Sequence, residues 1–369
     1  MDAEAAVMPP PAPYRYEPLD SPISIRLLDL LPGAEPDPVH VVLRQVELPE
    51  DSDTIAMASE AYYTALSYTW GPPDPQFLIY VQGKSYQARA NLLSALSHLR
   101  DRQTVQTFWI DALCINQGDV YEKNRQVSLM ARIYRTARKT RVWLGSSTDQ
   151  SLMGIQWLAD ECDDISNPAY DLRAAPIQSL ASLLKQAYWS RVWIIQEFLL
   201  ARTIELQYGK VVVAGHNLEK VCLAMRHLLP QSQATALVNQ RTATLRGDTP
   251  LQSQTLESLI RTYSSSECTD RRDRVFALLS LAADCASGTG MKPDYGITRF
   301  GLLMQVLEFC RPENPVEFIS LLLRALQRHE GDVHWGEALE LWTQGTLSQL
   351  DPSVWEGFSP EIGFDITRM

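Results

Sequence analysis

An α/β fold built on a parallel sheet flanked by helices is what this sequence predicts, with a β-hairpin before it and a mostly helical region after it. Three observations carry the prediction. From Thr64 to Tyr208, short runs of β-branched and aliphatic residues alternate with helix-length amphipathic segments, the pattern of a parallel sheet buried between helices. Two strand-like runs joined across Pro32-Gly33 precede that alternation. After Val213 the 3.6-residue apolar period dominates.

Taken in order, residues 1–20 carry Pro9, Pro10, Pro11 and Pro13 and read as a disordered, proline-rich start. Ile23 to Leu28 and Val39 to Leu48 are the hairpin strands, followed by an acidic loop to Ser59. Thr64 to Thr69 is a short buried strand, ended by the turn Trp70-Gly71-Pro72-Pro73, and Leu78 to Val81 is another strand. Asn91 is a candidate cap for a helix through Leu92, Leu93, Leu96 and Leu99. Thr107 to Ile115 reads as a strand with Asp111 within it or at its end. Asp119 and Glu122 have capping-box spacing and open a helix through Val127, Met130, Ile133 and Tyr134. Arg141 to Leu144 is a strand stopped by Gly145, Ser151 to Cys162 and Ile177 to Ala201 are helices, and Thr203 to Tyr208 is a strand. Leu218 to Leu229, Leu256 to Tyr263, Arg274 to Ala283 and Phe300 to Phe309 carry helical periodicity, and a leucine-rich stretch from Leu321 gives way to a Pro/Gly-punctuated tail. The expected division is an α/β domain over 21–215, with its motif core at about 60–200, and a helical region over 216–369 that packs on it.

Composition narrows the function. With 369 residues, 45% of them hydrophobic, the chain can bury a substantial core. A net charge of −11 without a basic block argues against nucleic-acid binding. The six cysteines lie far apart, with no CxxC pair and no Cys/His cluster at zinc spacing, so they read as reduced thiols and no metal is expected. The start is unlike a signal peptide, and no apolar run approaches the ~20 residues that span a bilayer. A cytoplasmic protein that uses no membrane is therefore expected. Gly83-Lys84-Ser85 lacks the glycine a phosphate loop needs five residues earlier, where Leu78 stands. The motifs GxGxxG, GxSxG and HExxH do not occur, and the six histidines are scattered.

The candidate site residues come from two stretches. Trp193-Ile194-Ile195-Gln196-Glu197 sets a carboxylate one helical turn after a tryptophan, near the end of an apolar segment. A glutamate half wrapped in apolar surface needs a partner, a raised pKa or a chemical task. Its structural alternative is pairing with Arg191 or Arg202, or a place on the rim. The run Trp109 to Gln117 ends a strand in several polar groups. Tyr68, Trp70, Asp111, Asn116 and Gln117 all fall at or just after expected strand ends, where open parallel sheets bind ligands. Loop capping by Asp111 and Asn116 is the competing explanation. Arg271, Arg272, Asp273 and Arg274 form a charge cluster that structural pairing and helix capping explain.

These stretches carry a family resemblance. Tyr63-Thr64-Ala65-Leu66-Ser67-Tyr68-Thr69-Trp70-Gly71 resembles the opening motif of the fungal heterokaryon-incompatibility (HET) domain, and Trp109 to Gln117 resembles its central motif. Glu122, Gln126, Met130, Ile133, Tyr134 and Ala137 are similar to its next helix, and Val142-Trp143-Leu144-Gly145 to its next strand. Trp189 to Glu197 resembles its closing motif, and Arg272 to Leu279 a motif often found downstream. The HET domain is in turn similar to TIR domains, which have a flavodoxin-like parallel sheet. Enzymatic TIR domains hydrolyse NAD⁺ with a glutamate in a W-x-x-x-E helix motif. The resemblance thus implies a TIR-like (flavodoxin-like) sheet, Glu197 as the catalytic position, NAD⁺ as substrate without a separate cofactor, and a part in nonself recognition or cell death.

The chemistry is self-consistent. The nicotinamide of NAD⁺ is already cationic and leaves as a neutral molecule, so one carboxylate suffices to stabilise an oxocarbenium-like transition state. Tyr68, Trp70 or Trp193 would stack on a ring of the dinucleotide, and Arg191 would meet a phosphate or pair with Glu197. Two other functions remain open to the same residues. One is an interaction module that assembles with itself or a partner, with Glu197 structural. The other is a biosynthetic enzyme that uses the pocket on another small molecule.

Overall fold

The computed structural model describes residues 11–49, 62–146, 149–160, 175–225, 229–250, 253–285 and 290–326. Nine strands form one sheet: β1 (Ser24–Leu30), β2 (His40–Glu47), β3 (Thr64–Tyr68), β4 (Gln76–Val81), β5 (Lys84–Arg89), β6 (Gln106–Trp109), β7 (Lys139–Trp143), β8 (Ile204–Tyr208) and β9 (Val211–Ala214). Their spatial order is β5-β4-β2-β1-β6-β3-β7-β8-β9. Neighbours within β6-β3-β7-β8 run parallel, whereas the β1/β2, β1/β6, β4/β5 and β8/β9 pairs are antiparallel. The fold is therefore α/β with a mixed sheet around a parallel centre. Counted along the chain, the four parallel strands lie in the order second, first, third, fourth. That order puts a topological switch point beside β3.

Burial explains the arrangement. Every residue of β3 is buried, as expected of a central parallel strand covered on both faces. β5 forms a hairpin with β4 through Gln82 and Gly83, whose φ values of 51° and 75° require the left-handed region. Gly83-Lys84-Ser85 is thus a tight turn and its outgoing strand. Residues 11–20, expected to be disordered, are instead held to the sheet, with residues 12–14 alongside β5: Tyr14 N–H donates to the Ser85 carbonyl at 2.8 Å, and Ser85 N–H to the Ala12 carbonyl at 3.0 Å. Residues 1–10 and the tail beyond Leu326 lie outside the described residues.

The helices are α1 (Ala90–Leu99), α2 (Asp111–Cys114), α3 (Val120–Thr136), α4 (Asp149–Asp160), α5 (Ala175–Leu183), α6 (Trp193–Leu199), α7 (Gly215–Ala224), α8 (Gln233–Leu245), α9 (Leu256–Tyr263), α10 (Asp273–Phe276), α11 (Arg299–Cys310) and α12 (Pro315–Leu326). Five expectations are corrected here. Arg89, not Asn91, occupies the N-cap of α1; the Asn91 amide instead holds the Thr69 carbonyl at 2.5 Å. The strand expected over Thr107 to Ile115 ends at Trp109, and Asp111 opens a one-turn helix. Asp119 caps α3 as expected, but Glu122 does not close a capping box, because buried Arg26 takes its carboxylate at 2.5 Å. Arg274 to Ala283 is helical only as far as Phe276. Ile177 to Ala201 is not one helix: a 3-10 turn (Ala187–Ser190) and an extended step separate α5 from α6. Main-chain pairing from outside the segment imposes that break. Val192 N–H donates to the Glu267 carbonyl at 2.9 Å, and Glu267 N–H to the Ser190 carbonyl at 2.7 Å.

Candidate functional site

The site is built from the carboxyl ends of β3 and β6 together with the segment from the 3-10 turn into α6. Although α6 has only seven residues, it preserves the spacing that sets Glu197 one turn after Trp193. It packs against β3 and α3. Alternation along β3 puts Ala65 and Ser67 on one face, and Ser67 reaches α6 from there. The Ser67 hydroxyl donates to Glu197 Oε2 at 2.5 Å and shares a second hydrogen bond with the Tyr188 hydroxyl at 2.7 Å.

Glu197 is 2% exposed. Burial pushes its carboxyl up from 4.5 to about 7. The Arg191 guanidinium, the Ser67 hydroxyl and Tyr134 pull it back, while the Asp111 charge adds to the rise. The internal ion pair with Arg191 or Arg202 is not formed. Arg191 Nη1 donates to the Tyr68 carbonyl and Arg202 Nε to the Arg135 carbonyl, while the Ser67 hydroxyl donates to Glu197. Nor is the carboxylate an exposed rim group.

Asp111 is half-buried, and its carboxyl is raised by burial against the opposing pull of Arg191, the Trp70 indole, the Ala112 amide and Arg89. The Trp70 indole N–H donates to Asp111 Oδ2 at 2.8 Å, and the Ala112 N–H to Oδ1 at 2.7 Å. Arg89 lies 5.1 Å from the Trp70 ring centroid. Gln117 closes the same loop by donating to the Asp111 carbonyl at 3.1 Å. One guanidinium, Arg191, acts electrostatically on both acids and on the buried phenols of Tyr68, Tyr134 and Tyr188.

Tyr68, Trp70, Asp111, Gln117, Arg191 and Glu197 are therefore brought together. Two further expected members make their described bonds elsewhere. The main-chain N–H of Asn116 donates to Glu122 Oε1 at 2.7 Å, which ties this residue to the buried Arg26–Glu122 pair. The Trp193 indole hydrogen-bonds to buried Asp273, which also accepts from the Tyr295 hydroxyl at 2.6 Å. Its indole N–H is thus directed to the helical region. Ser67, Tyr134, Tyr188 and Arg89 were missed. For Ser67 a signal existed: a hydroxyl in a strand expected to be buried needs an internal partner.

Among the described residues no group of three or more His, Cys, Asp or Glu is placed to hold a metal ion, and no helix is long and apolar enough to cross a membrane. Comparison with known proteins agrees with the motif reading. Residues 63–197 match the family described as heterokaryon incompatibility protein (HET), and the match ends on Glu197. A curated relative, heterokaryon incompatibility protein 6 (OR allele) of Neurospora crassa, is 27% identical over 348 residues, 73% of this chain and 49% of its own length. The chain thus spans about half the length of that relative. No solved structure matches it.

Proposed function

We propose that the chain is an NAD⁺-consuming hydrolase of HET/TIR-like type, acting in fungal nonself recognition, with Glu197 as its catalytic carboxylate. One observation carries the reading. A carboxylate one turn after a tryptophan lies under the carboxyl end of β3, at the switch point of the parallel strands, with its ionisation held near neutrality. The second-first-third-fourth strand order supports the TIR-like assignment, and the name of the Neurospora crassa relative supports the biological setting.

The chemistry follows from charge. The N-glycosidic bond of NAD⁺ breaks with its electron pair going to the nicotinamide nitrogen, which becomes neutral. Positive charge then develops at the ribose anomeric carbon, where ionised Glu197 stabilises it. Water attacks that carbon and releases one proton, giving nicotinamide, ADP-ribose and H⁺. Glu197 is buried, so substrate reaches it once Arg191 leaves the Tyr68 carbonyl. In this reading the freed guanidinium takes the pyrophosphate bidentately. Trp70 offers the ring for stacking, and Asp111 and Gln117 the polar groups of the loop beside it.

The test is nicotinamide release from NAD⁺ by purified protein. Wild type should release it, and Glu197→Ala should not while retaining its circular dichroism. Release by the variant removes Glu197 from catalysis, and no release by wild type in any assembly state removes the hydrolase reading. A second reading, a non-catalytic assembly module, draws on the 2% exposure of Glu197, since a buried acid network also fixes structure. Concentration-dependent light scattering without turnover would favour it.

A further inference from the structure

The Ser67 hydroxyl has one proton and two close partners, Glu197 Oε2 at 2.5 Å and the Tyr188 hydroxyl at 2.7 Å. All three residues are buried, so no solvent competes for these bonds. A carboxylate only accepts, so ionised Glu197 fixes the direction of the whole chain. Ser67 must give its proton to Glu197, and Tyr188 must then give its own to Ser67. A proton on the bridged carboxyl oxygen reverses both bonds. The Tyr188 proton then faces no other acceptor among the described residues, which is costly in a buried site.

We propose that Ser67 and Tyr188 are positioning residues for the Glu197 site: a one-way hydroxyl chain, Tyr188 to Ser67 to carboxylate, that favours the ionised form of Glu197 and fixes which oxygen faces substrate. The role in catalysis rests on the hydrolase reading; the hydroxyl chain itself does not. Ser67 is contributed by β3 and Tyr188 by the 3-10 turn, so the chain ties the central strand to the segment that leads into α6. The other groups acting on the carboxylate are known. Arg191, just before α6, favours its charge, as does the Tyr134 hydroxyl of α3, which donates to the Leu66 carbonyl at 3.2 Å; Asp111 of α2 opposes it. Arg241 of α8 is spent on the carbonyls of Phe198 and Ala201 at 3.0 and 2.7 Å and on Glu219 at 3.1 Å.

Two readouts separate this inference from the hydrolase reading. The first is the pH at which Glu197 ionises in the folded protein. It is obtained from the pH dependence of unfolding, with the matched Glu197→Gln protein as reference in each background. Removing a donor to an ionised group moves that midpoint upward, by roughly one pH unit for a charge-assisted bond. Ser67→Ala should show the full upward shift, Tyr188→Phe a smaller one in the same direction, and Ser67→Thr, which keeps the hydroxyl, should restore the wild-type midpoint. The second is the pH profile of nicotinamide release, whose acid limb should move by the same amounts. Should Ser67→Ala fail to fold, Tyr188→Phe carries the test, since it removes one oxygen and keeps the ring. An unmoved midpoint in the folded variants overturns the inference. A moved midpoint in a protein that never releases nicotinamide upholds the hydroxyl chain and overturns only its catalytic use.

Discussion

Glu197→Gln should make this protein more stable at neutral pH while abolishing the proposed activity. The magnitude follows from the carboxyl alone. Its pKa rises from 4.5 to about 7 on folding. A raised acid binds its proton in the folded state at pH values where the unfolded chain has already lost it. The folded state therefore binds more protons between these limits, and stability falls as pH rises through that window. At pH 7 the accumulated cost is about 3 kcal/mol, at 1.36 kcal/mol per pH unit. Below pH 4.5 it vanishes, because both states are protonated. Glutamine keeps a carbonyl oxygen for the Ser67 hydroxyl and has nothing to ionise, so it removes this cost. With about 2.1 cal/mol/K of unfolding entropy per residue, 3 kcal/mol raises the melting temperature of a 369-residue chain by roughly 4 °C.

The assay is a pair of melting curves, wild type and Glu197→Gln, at intervals from pH 4 to pH 8.5. The difference cancels other titrating groups, Asp273 among them. It should be near zero at pH 4, open between pH 4.5 and 7, and level off above about pH 7.5. A constant difference across the range would mean that Glu197 does not titrate as its burial demands. A variant that loses stability as pH rises would reverse the sign and refute the reasoning. Gained stability with lost nicotinamide release would be the behaviour of a group held in a costly state for a chemical purpose.

Three further outcomes follow. Arg26→Ala leaves Glu122 as an uncompensated charge, since the pair is 3% and 7% exposed and joined at 2.5 Å; it should cost about 3–5 kcal/mol in denaturant unfolding, much of it recovered by replacing both partners with apolar residues. Asp273→Ala strips the acceptor from the Tyr295 hydroxyl and the Trp193 indole; a loss of roughly 2–4 kcal/mol by thermal unfolding is expected from two stranded donors. Gly154→Ala drives a methyl to 2.5 Å from the Leu180 amide nitrogen and 2.8 Å from the Ser179 carbonyl carbon. Those atoms are backbone and cannot step aside, so the α4/α5 contact should open at a cost of about 1–3 kcal/mol in chemical denaturation.

The sheet centre was legible because its signals are local. The hairpin strands, β3, β7 and β8 each follow from a short aliphatic run with a turn residue after it, and the Asp119 cap from one carboxylate two residues before the amide that donates to it. What the sequence hid is what distant chain decides. Glu122 sits at capping-box spacing, yet it belongs to Arg26, 96 residues away, because a buried guanidinium outbids a main-chain amide. The site divides in the same way. Glu197 is recognisable from Trp193 four positions earlier, but the orientation of both depends on partners no spacing predicts. Glu267 breaks the helix before α6, Asp273 engages the Trp193 indole, and the Ser280 hydroxyl holds Gln196 Oε1 at 2.7 Å. All three lie beyond residue 197, where the HET match ends. The helix that bears the candidate acid is thus set in place by chain outside the recognised domain. Excising residues 63–197 should therefore release the 190–192 segment to continue the helix, rotate Trp193 and free Glu197 from Ser67. An isolated 63–197 fragment that folds with the same Glu197 midpoint as the full chain would show that the domain holds its own site after all.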